Sequence, residues 1–402
     1  MKNQREISYD ILVNKQYANL ELKKLSNHPH KSFITRLVYT CYQQDELLKF
    51  QYSDLLHTTV PDEIETILLM AAAQKYFFDQ VEDYALVNES VNLAKKVNRK
   101  YSNLVNAVLK KMIQRELRYS NSGDEVLDLS INTSHPIWMT KLLIAQYGLQ
   151  QTKDLLHHHN TQPPLYIRLN EKKIEVEEAL TNYPIYKIDN QFVADSTVFR
   201  TDALENGLML VQDRNSQQLI NNIKFNADDN VLDACTAPGT KLTQMADQVL
   251  DGQCVGVDVH EHRIELTRQL VERWGNNNVE LITSDILDYE TDQQFDKILC
   301  DVPCSGLGVI RRKPDLKRRI HPEDLDALEL LQAQILNHVK QFLKIGGQLI
   351  YSTCTLNKKE NQKQVEKFLK DNPAFTCLSE ETLWGPQNDG DSFYEAILVK
   401  KQ

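Results

Sequence analysis

The run Val231-Leu232-Asp233-Ala234-Cys235-Thr236-Ala237-Pro238-Gly239-Thr240-Lys241 decides the fold. A short apolar strand breaks into a loop, and a helix is expected from about Leu242. Gly239 permits the tight turn between them. The same order recurs downstream. Cys254–Asp258 is a second apolar run, Val279–Ile282 a third that leads to Asp285, Lys297–Asp301 a fourth and Gln348–Cys354 a fifth. Helical stretches separate most of these runs. The clearest, Asp324 to Lys344, carries Leu325, Leu328, Leu331, Ile335, Val339 and Phe342 on one face and is expected to stop at Gly346-Gly347. Strand and helix in alternation predict a doubly wound parallel sheet, an α/β Rossmann-like domain over 207–402.

Upstream the period changes. Ile7, Ile11 and Leu12 repeat at helical spacing, as do Ile34, Leu37, Val38 and Cys41, then Ile64, Ile67, Leu68 and Ala71, and again Leu104, Val105, Val108, Leu109 and Met112. Pro61 marks a helix start at Asp62. Residues 1–125 therefore read as an all-α domain. Asn121-Ser122-Gly123-Asp124 is a turn signal. A linker helix is expected from Pro136 to Tyr147, stopped by Gly148. Leu165–Leu169 alternates like a strand behind Pro163-Pro164, and Lys172–Leu180 suits a helix. This gives a small α+β subdomain within 126–206. The chain is multidomain on its length alone, at 402 residues.

Composition narrows the class. The chain is 41% hydrophobic and 25% charged, with no apolar run long enough for a membrane span and no apolar leader in its first residues. Seven scattered cysteines point to free thiols in a reducing, cytoplasmic setting. The net charge of -10 argues mildly against a nucleic-acid partner. However, residues 1–120 hold 17 Lys and Arg against 14 Asp and Glu, and local patches matter more than the total.

Ligands of a doubly wound sheet sit outside the carboxyl ends of its strands. Here those ends carry Asp233, Asp258, Asp285, Asp301 with Pro303-Cys304, and Cys354. One acid there is ordinary turn chemistry; five reactive endings are not. A single glycine, Gly239, excludes both the dinucleotide fingerprint and the phosphate P-loop. An acid after the second strand suits a ribose, Asp285 an adenine amino group, and the loop a carboxylate. S-adenosylmethionine carries all three groups. Cys41, Cys235, Cys254, Cys300 and Cys377 read as small buried hydrophobes. Cys304 and Cys354 instead face the expected pocket. No further His or Cys pair completes a metal site around them. Two thiols suit methylation at carbon 5 of cytosine: one adds to carbon 6 and makes carbon 5 nucleophilic, and the other assists proton removal or release. The residues alone do not rank the two. Such a base must be single-stranded or flipped out.

Asp233–Lys241, Asp301-Val302-Pro303-Cys304-Ser305-Gly306 and Ser352-Thr353-Cys354-Thr355, with Val211-Gln212-Asp213 and Ser216-Gln217, resemble the RNA cytosine-5 methyltransferases. The helical signatures Val87–Val91 and Val105–Leu109, with His135-Pro136-x-Trp138 and Pro163-Pro164-Leu165-x-x-Arg168-x-Asn170, are similar to the bacterial small-subunit rRNA enzymes of the RsmB (Fmu/Sun) type, which begin with a NusB-like RNA-binding domain. The resemblance implies methyl transfer from S-adenosylmethionine to a cytosine of 16S rRNA by a monomer without metal or membrane attachment. It makes Cys354 the nucleophile and Cys304 its helper. Cys235, Thr236, Ala237, Pro238, Gly239, Thr240, Lys241, Asp258, Asp285 and Asp301 would line the cofactor. The chain departs from the family pattern at Thr240, where a second glycine is usual, at Leu242 for threonine, at Asn215 for a small residue, and at Ser392 for glycine.

Arg311, Arg312, Lys313, Lys317, Arg318 and Arg319 crowd the stretch after Cys304 and are expected to contact RNA phosphates. Lys95, Lys96, Arg99 and Lys100 form a weaker basic group. Three rivals remain at this level: a tRNA cytosine-5 methyltransferase, a non-catalytic RNA-binding ribosome assembly factor, and a nitrogen methyltransferase. The last is disfavoured by Pro303-Cys304, where such enzymes carry Pro-Pro and an aromatic residue.

Overall fold

The computed structural model describes residues 2–14, 18–26, 28–79 and 81–401. They form two compact units: Met1–Thr161 with Arg312–His321, and Gln162–Arg311 with Pro322–Gln402.

The first unit is helical. Asn3 caps the helix Gln4–Val13 through a capping box with Glu6. Helices Lys31–Gln43, Asp45–Tyr52, Asp83–Asn98 and Ser102–Met112 pack around Asp62–Phe77. That central helix starts at Pro61, with Asp62, Glu63 and Glu65 in its first turn, where acids suit the helix dipole. It buries Leu69, Met70, Ala72 and Ala73 as well as the expected Ile64, Ile67, Leu68 and Ala71. A helix apolar all round belongs inside a bundle. Helices Glu125–Asn132, Ile137–Tyr147 and Leu149–His159 complete this unit.

The second unit holds two sheets. The small one is antiparallel, in the order β2-β3-β1-β4, with β1 Leu165–Leu169, β2 Ile185–Ile188, β3 Gln191–Ala194 and β4 Met209–Val211. The helix after β1 begins at Val176 rather than Lys172. Strand β4 lies past residue 206, outside the expected subdomain. Three residues are too few to show alternation, and pairing with β1 is what makes them a strand.

The large sheet has seven strands: β5 Asn230–Asp233, β6 Gln253–Asp258, β7 Val279–Thr283, β8 Phe295–Asp301, β9 Leu343–Thr353, β10 Phe375–Leu383 and β11 Phe393–Lys400. Their order is β10-β11-β9-β8-β5-β6-β7. Strands β5 to β9 are parallel, as expected. β10 and β11 add an antiparallel edge that the apolar runs did not reveal. The chain leaves β5 towards β6 on one side and returns to β8 on the other. That reversal opens a crevice at the carboxyl ends of β5 and β8. One expectation fails here. The long helix ends at Val339, and Leu343–Gly347 already belong to β9. Leu343 pairs with Phe295 before a bulge that Gly346 accommodates at φ +81. Helical spacing of the last apolar residues concealed the strand.

A buried ion pair ties β5 to β8. Lys297 donates to Asp229 at 2.6 Å, and both are nearly inaccessible. Burial alone would raise the Asp229 pKa, but hydrogen bonds from Lys297 and Asn226 bring it below its ordinary value. Lys297→Met leaves this carboxylate uncompensated and is expected to cost about 3–5 kcal/mol at neutral pH. Because a depressed pKa stabilises the fold above it, the penalty shrinks as pH falls through the titration of Asp229. Urea denaturation of both proteins at two pH values checks this.

Candidate active site

The register Asp301↔Ser352 aligns the ends of β8 and β9, and Val302 adds one more rung to Ser352. Pro303 has no N–H to donate, and the ladder stops. Cys304 and Cys354 therefore leave the sheet side by side. Their sulfurs lie 3.3 Å apart, both half-buried. A disulfide would hold them at about 2.0 Å, so this is a thiol–thiol contact. The hydrogen bond to Cys354, then burial, push the Cys304 thiol well above its usual value, and the negative charges of Glu360 and Asp301 add to this.

Three supports hold the pair. Gly308 N–H donates to the Cys354 carbonyl, and its own carbonyl accepts from Ser392 N–H. A Cβ on Gly308 would lie 2.1 Å from the Ser392 oxygen, so only glycine fits. Glu360, fully buried, accepts from Ser305 N–H (2.9 Å), Ser305 Oγ (2.6 Å), Gln332 Nε2 (3.0 Å) and Asn357 Nδ2 (3.1 Å). Thr355 Oγ1 meets Ser305 Oγ at 2.7 Å. Sequence reasoning missed Glu360. Its only signal was a cluster of polar residues, Asn357, Glu360 and Asn361, where a strand hands over to a helix.

The acids occupy neighbouring strand ends. Asp233 closes β5 and is almost wholly buried. Burial raises its pKa to about 7, and its Oδ1 has room for a further donor. Thr236 beside it is also buried, and its side chain opposes that rise. Gly239, at φ +89, starts the helix Thr240–Ala246, and a Cβ there would strike Thr267. Asp258 ends β6, where Arg263 pairs with it at 3.2 Å and also donates to the Ala237 carbonyl. Asp285 is exposed and accepts from Leu287 N–H. Asp301 takes Lys241 Nζ at 2.6 Å and Ser352 Oγ at 3.0 Å. Burial would lower the Lys241 pKa, but Asp301 and Cys354 hold it above its ordinary value. The charged forms of Lys241 and Cys354 thus favour one another.

The small sheet braces this loop. Arg168 on β1 donates to the Thr240 carbonyl (2.9 Å), Thr243 Oγ1 (2.7 Å) and Gln212 Oε1 (3.1 Å), and stacks on Trp274. Gln212 passes the connection to Gln244 at 2.8 Å. Arg168, one residue of the small-domain signature, therefore fixes the backbone at Thr240.

The family description "16S rRNA methyltransferase RsmB/F" matches residues 221–398, the NusB family matches 2–114, and the ferredoxin-like domain of RsmF/B-type methyltransferases matches 135–189. The chain is 31% identical to the probable ribosomal RNA small subunit methyltransferase B of Bacillus subtilis, over 92% of the chain and 89% of the relative. It is 29% identical to the corresponding Synechocystis protein, over 99% and 92%. The chain belongs to the RsmB family of ribosomal RNA small subunit methyltransferases. Among solved structures, PH0851 superposes with a TM-score of 0.82 at 20% identity, covering 100% of this chain and 99% of its own. A methyltransferase homologue from Pyrococcus horikoshii gives 0.61 at 23%, covering 69% and 99%.

The departures from the family pattern find physical partners in this RsmB-family enzyme. Leu242 is buried against Gly256, whose missing Cβ makes room for it. Asn215 exchanges amide hydrogen bonds with Asn388 and donates to the Asp391 carbonyl, and Ser392 Oγ accepts from Gly385 N–H. Thr240 lends its carbonyl to Arg168.

The basic run behaves differently from expectation. Arg311 is buried and donates to Asp389 and to the Gln162 carbonyl. Lys317 is buried, donates to the Gln43 carbonyl and Asn160 Oδ1, and is lowered to about 7 by burial. Arg318 pairs with Asp45 and lies over Tyr42. These three hold the fold and offer no free face to phosphate. Arg319 reaches Asp315 at 3.5 Å yet stays partly open, as does Arg312, and Lys313 is exposed. Cys377, expected in the core, is exposed on β10. Among the described residues no helix is long and apolar enough to cross a membrane, and no three metal-binding side chains gather at one point.

Gly308→Ala forces the Cys354 carbonyl and Ser392 apart. Displacing a reacting group by about 1 Å costs on the order of a hundredfold, so ribosomal RNA methylation by this variant is expected to fall by about that factor. Single-turnover assays check it.

Proposed function

We propose that this enzyme methylates carbon 5 of a cytosine in 16S rRNA, with S-adenosylmethionine as donor and a covalent Cys354–cytosine adduct as intermediate. The observation that carries the reading is the 3.3 Å approach of Cys304 and Cys354 at the strand ends that open the crevice. The open Oδ1 of buried Asp233 fits a ligand rich in hydrogen-bonding groups. Residues 235–241, with Asp258, Asp285 and Asp301, would hold S-adenosylmethionine. When bound, it supplies an electrophilic methyl group.

The protein's own groups do the rest. Cys354 adds to carbon 6 of the base as a thiolate, favoured by the nearby charge of Lys241. The addition turns the ring into an enamine, which makes carbon 5 nucleophilic. After methylation carbon 5 gives its proton to water, the ring double bond re-forms and the Cys354 sulfur departs as a thiolate. The Cys304 thiol donates its hydrogen bond to the departing thiolate. Arg312, Lys313 and Arg319 remain the residues of the basic run suited to RNA phosphates. The enzyme acts in the cytoplasm as a monomer. A tRNA substrate remains a second reading of the same chemistry, separable by which RNA becomes labelled.

Cys304→Ala is expected to accumulate a protein–RNA adduct that survives denaturing electrophoresis, because release is slowed. Cys354→Ala is expected to form none and to leave its target cytosine unmethylated in bisulfite sequencing of rRNA from complemented deletion cells. An adduct with Cys354→Ala alone would reverse the two roles.

A further inference from the structure

The two sulfurs lie within hydrogen-bond reach, so once one thiol ionises the remaining proton can sit on either sulfur, and something must decide which. The groups around them are unequal. Cys304 lies beside two acids and a phenol: Glu360 in the loop after β9, Asp301 at the end of β8, and Tyr351 on β9, whose hydroxyl donates to the Glu360 carbonyl at 2.6 Å. Cys354 lies near Lys241, at the start of the helix Thr240–Ala246. Glu360 stands out in this set. Its two oxygens face four donor groups, three of them N–H, a set that suits a buried carboxylate anion. Two of those donors belong to Ser305, the neighbour of Cys304, and a third, Gln332 Nε2, also holds the Pro303 carbonyl at 2.9 Å. Residues on both sides of Cys304 are thus anchored on one negative charge. The mechanism so far leaves that charge unused.

The structure assigns Glu360 as a positioning residue that keeps the shared proton on Cys304 and so leaves the negative charge on Cys354. The assignment rests on the proposed pairing of the two cysteines, with Cys354 as nucleophile. A buried anion disfavours a second anion close by, and in a low-dielectric site the effect is large. Lys241, which pairs with Asp301, favours a thiolate at Cys354. The brace and the bias come from the same carboxylate. A neutral replacement of equal size should remove the bias; its amide oxygen keeps two of the four bonds, and its NH2 group meets the other two donors.

The test reads thiol reactivity rather than methyl transfer. The protein is alkylated with iodoacetamide from pH 6 to 9, and each cysteine peptide is quantified by mass spectrometry. Exposed Cys377 serves as the internal reference. In the wild type Cys354 should react well ahead of Cys304 across this range. In Glu360→Gln that ratio should narrow by about tenfold, the effect of one pKa unit, because Cys304 ionises at lower pH. Ser305→Ala keeps the charge and removes one anchoring bond, so its ratio should stay at the wild-type value. An unchanged ratio in Glu360→Gln, or an equal narrowing in Ser305→Ala, overturns the assignment. If Glu360→Gln does not fold, Cys354→Ala serves instead. There Cys304 should still react more slowly than Cys377 at pH 8, and equal rates would overturn the assignment. A separate adduct assay with Cys304→Ala tests the pairing itself. Narrowing without any RNA adduct would keep the charge bias and reject the methylation chemistry.

Discussion

The adjacency of β8 and β9 is the constraint on which the site depends. Parallel pairing at Asp301↔Ser352 brings two chain segments, fifty residues apart in sequence, to a common end. Proline at 303 ends the ladder on one side, and Gly308 lets the backbone close over the Cys354 carbonyl on the other. Neither cysteine is placed by its own local sequence. The register of the sheet sets the distance between them, and the buried Lys297–Asp229 pair helps hold β8 against β5 in that register.

Around this frame the charges divide. Acids gather at the ends of β5, β6 and β8, and Lys241 bridges from the glycine loop to Asp301. An isolated acid at a strand end would be ordinary turn chemistry. Asp233 is different, because it is buried and raised to about 7. Its Oδ1 has room for a further donor, which a polar ligand would supply. Arg168 reaches from the small sheet to the same loop, so the subdomain acts as a strut for the crevice within its own compact unit.

Much of this was legible in the sequence. Helical spacing gave four helices of the first unit's core, Gln4–Val13, Lys31–Gln43, Asp62–Phe77 and Ser102–Met112, and five apolar runs gave β5 to β9. The two thiols were evident from their places after strands. What was not legible shares one cause: it depends on partners distant in the chain. β4 is three residues long and exists by pairing with β1. β10 is an antiparallel edge strand with exposed polar residues, and β11 is a buried strand held by β9 on its other side. Lys317 and Arg318 read as a surface charge run, yet Asp45, Asn160 and the Gln43 carbonyl draw them inward. Glu360 looked like one of many surface glutamates, and only the convergence of Ser305, Gln332 and Asn357 makes it an interior anion.

The central claim is that the Cys354 sulfur bonds to carbon 6 of a cytosine. The most direct measurement uses rRNA carrying 5-fluorocytidine, whose carbon–fluorine bond blocks release after methyl transfer. Incubation of the wild-type enzyme with S-adenosylmethionine, followed by nuclease and protease digestion, should yield a nucleotide attached to the peptide that contains Cys354. Attachment to the Cys304 peptide, or no attachment while the same RNA with ordinary cytidine is methylated, would contradict the account.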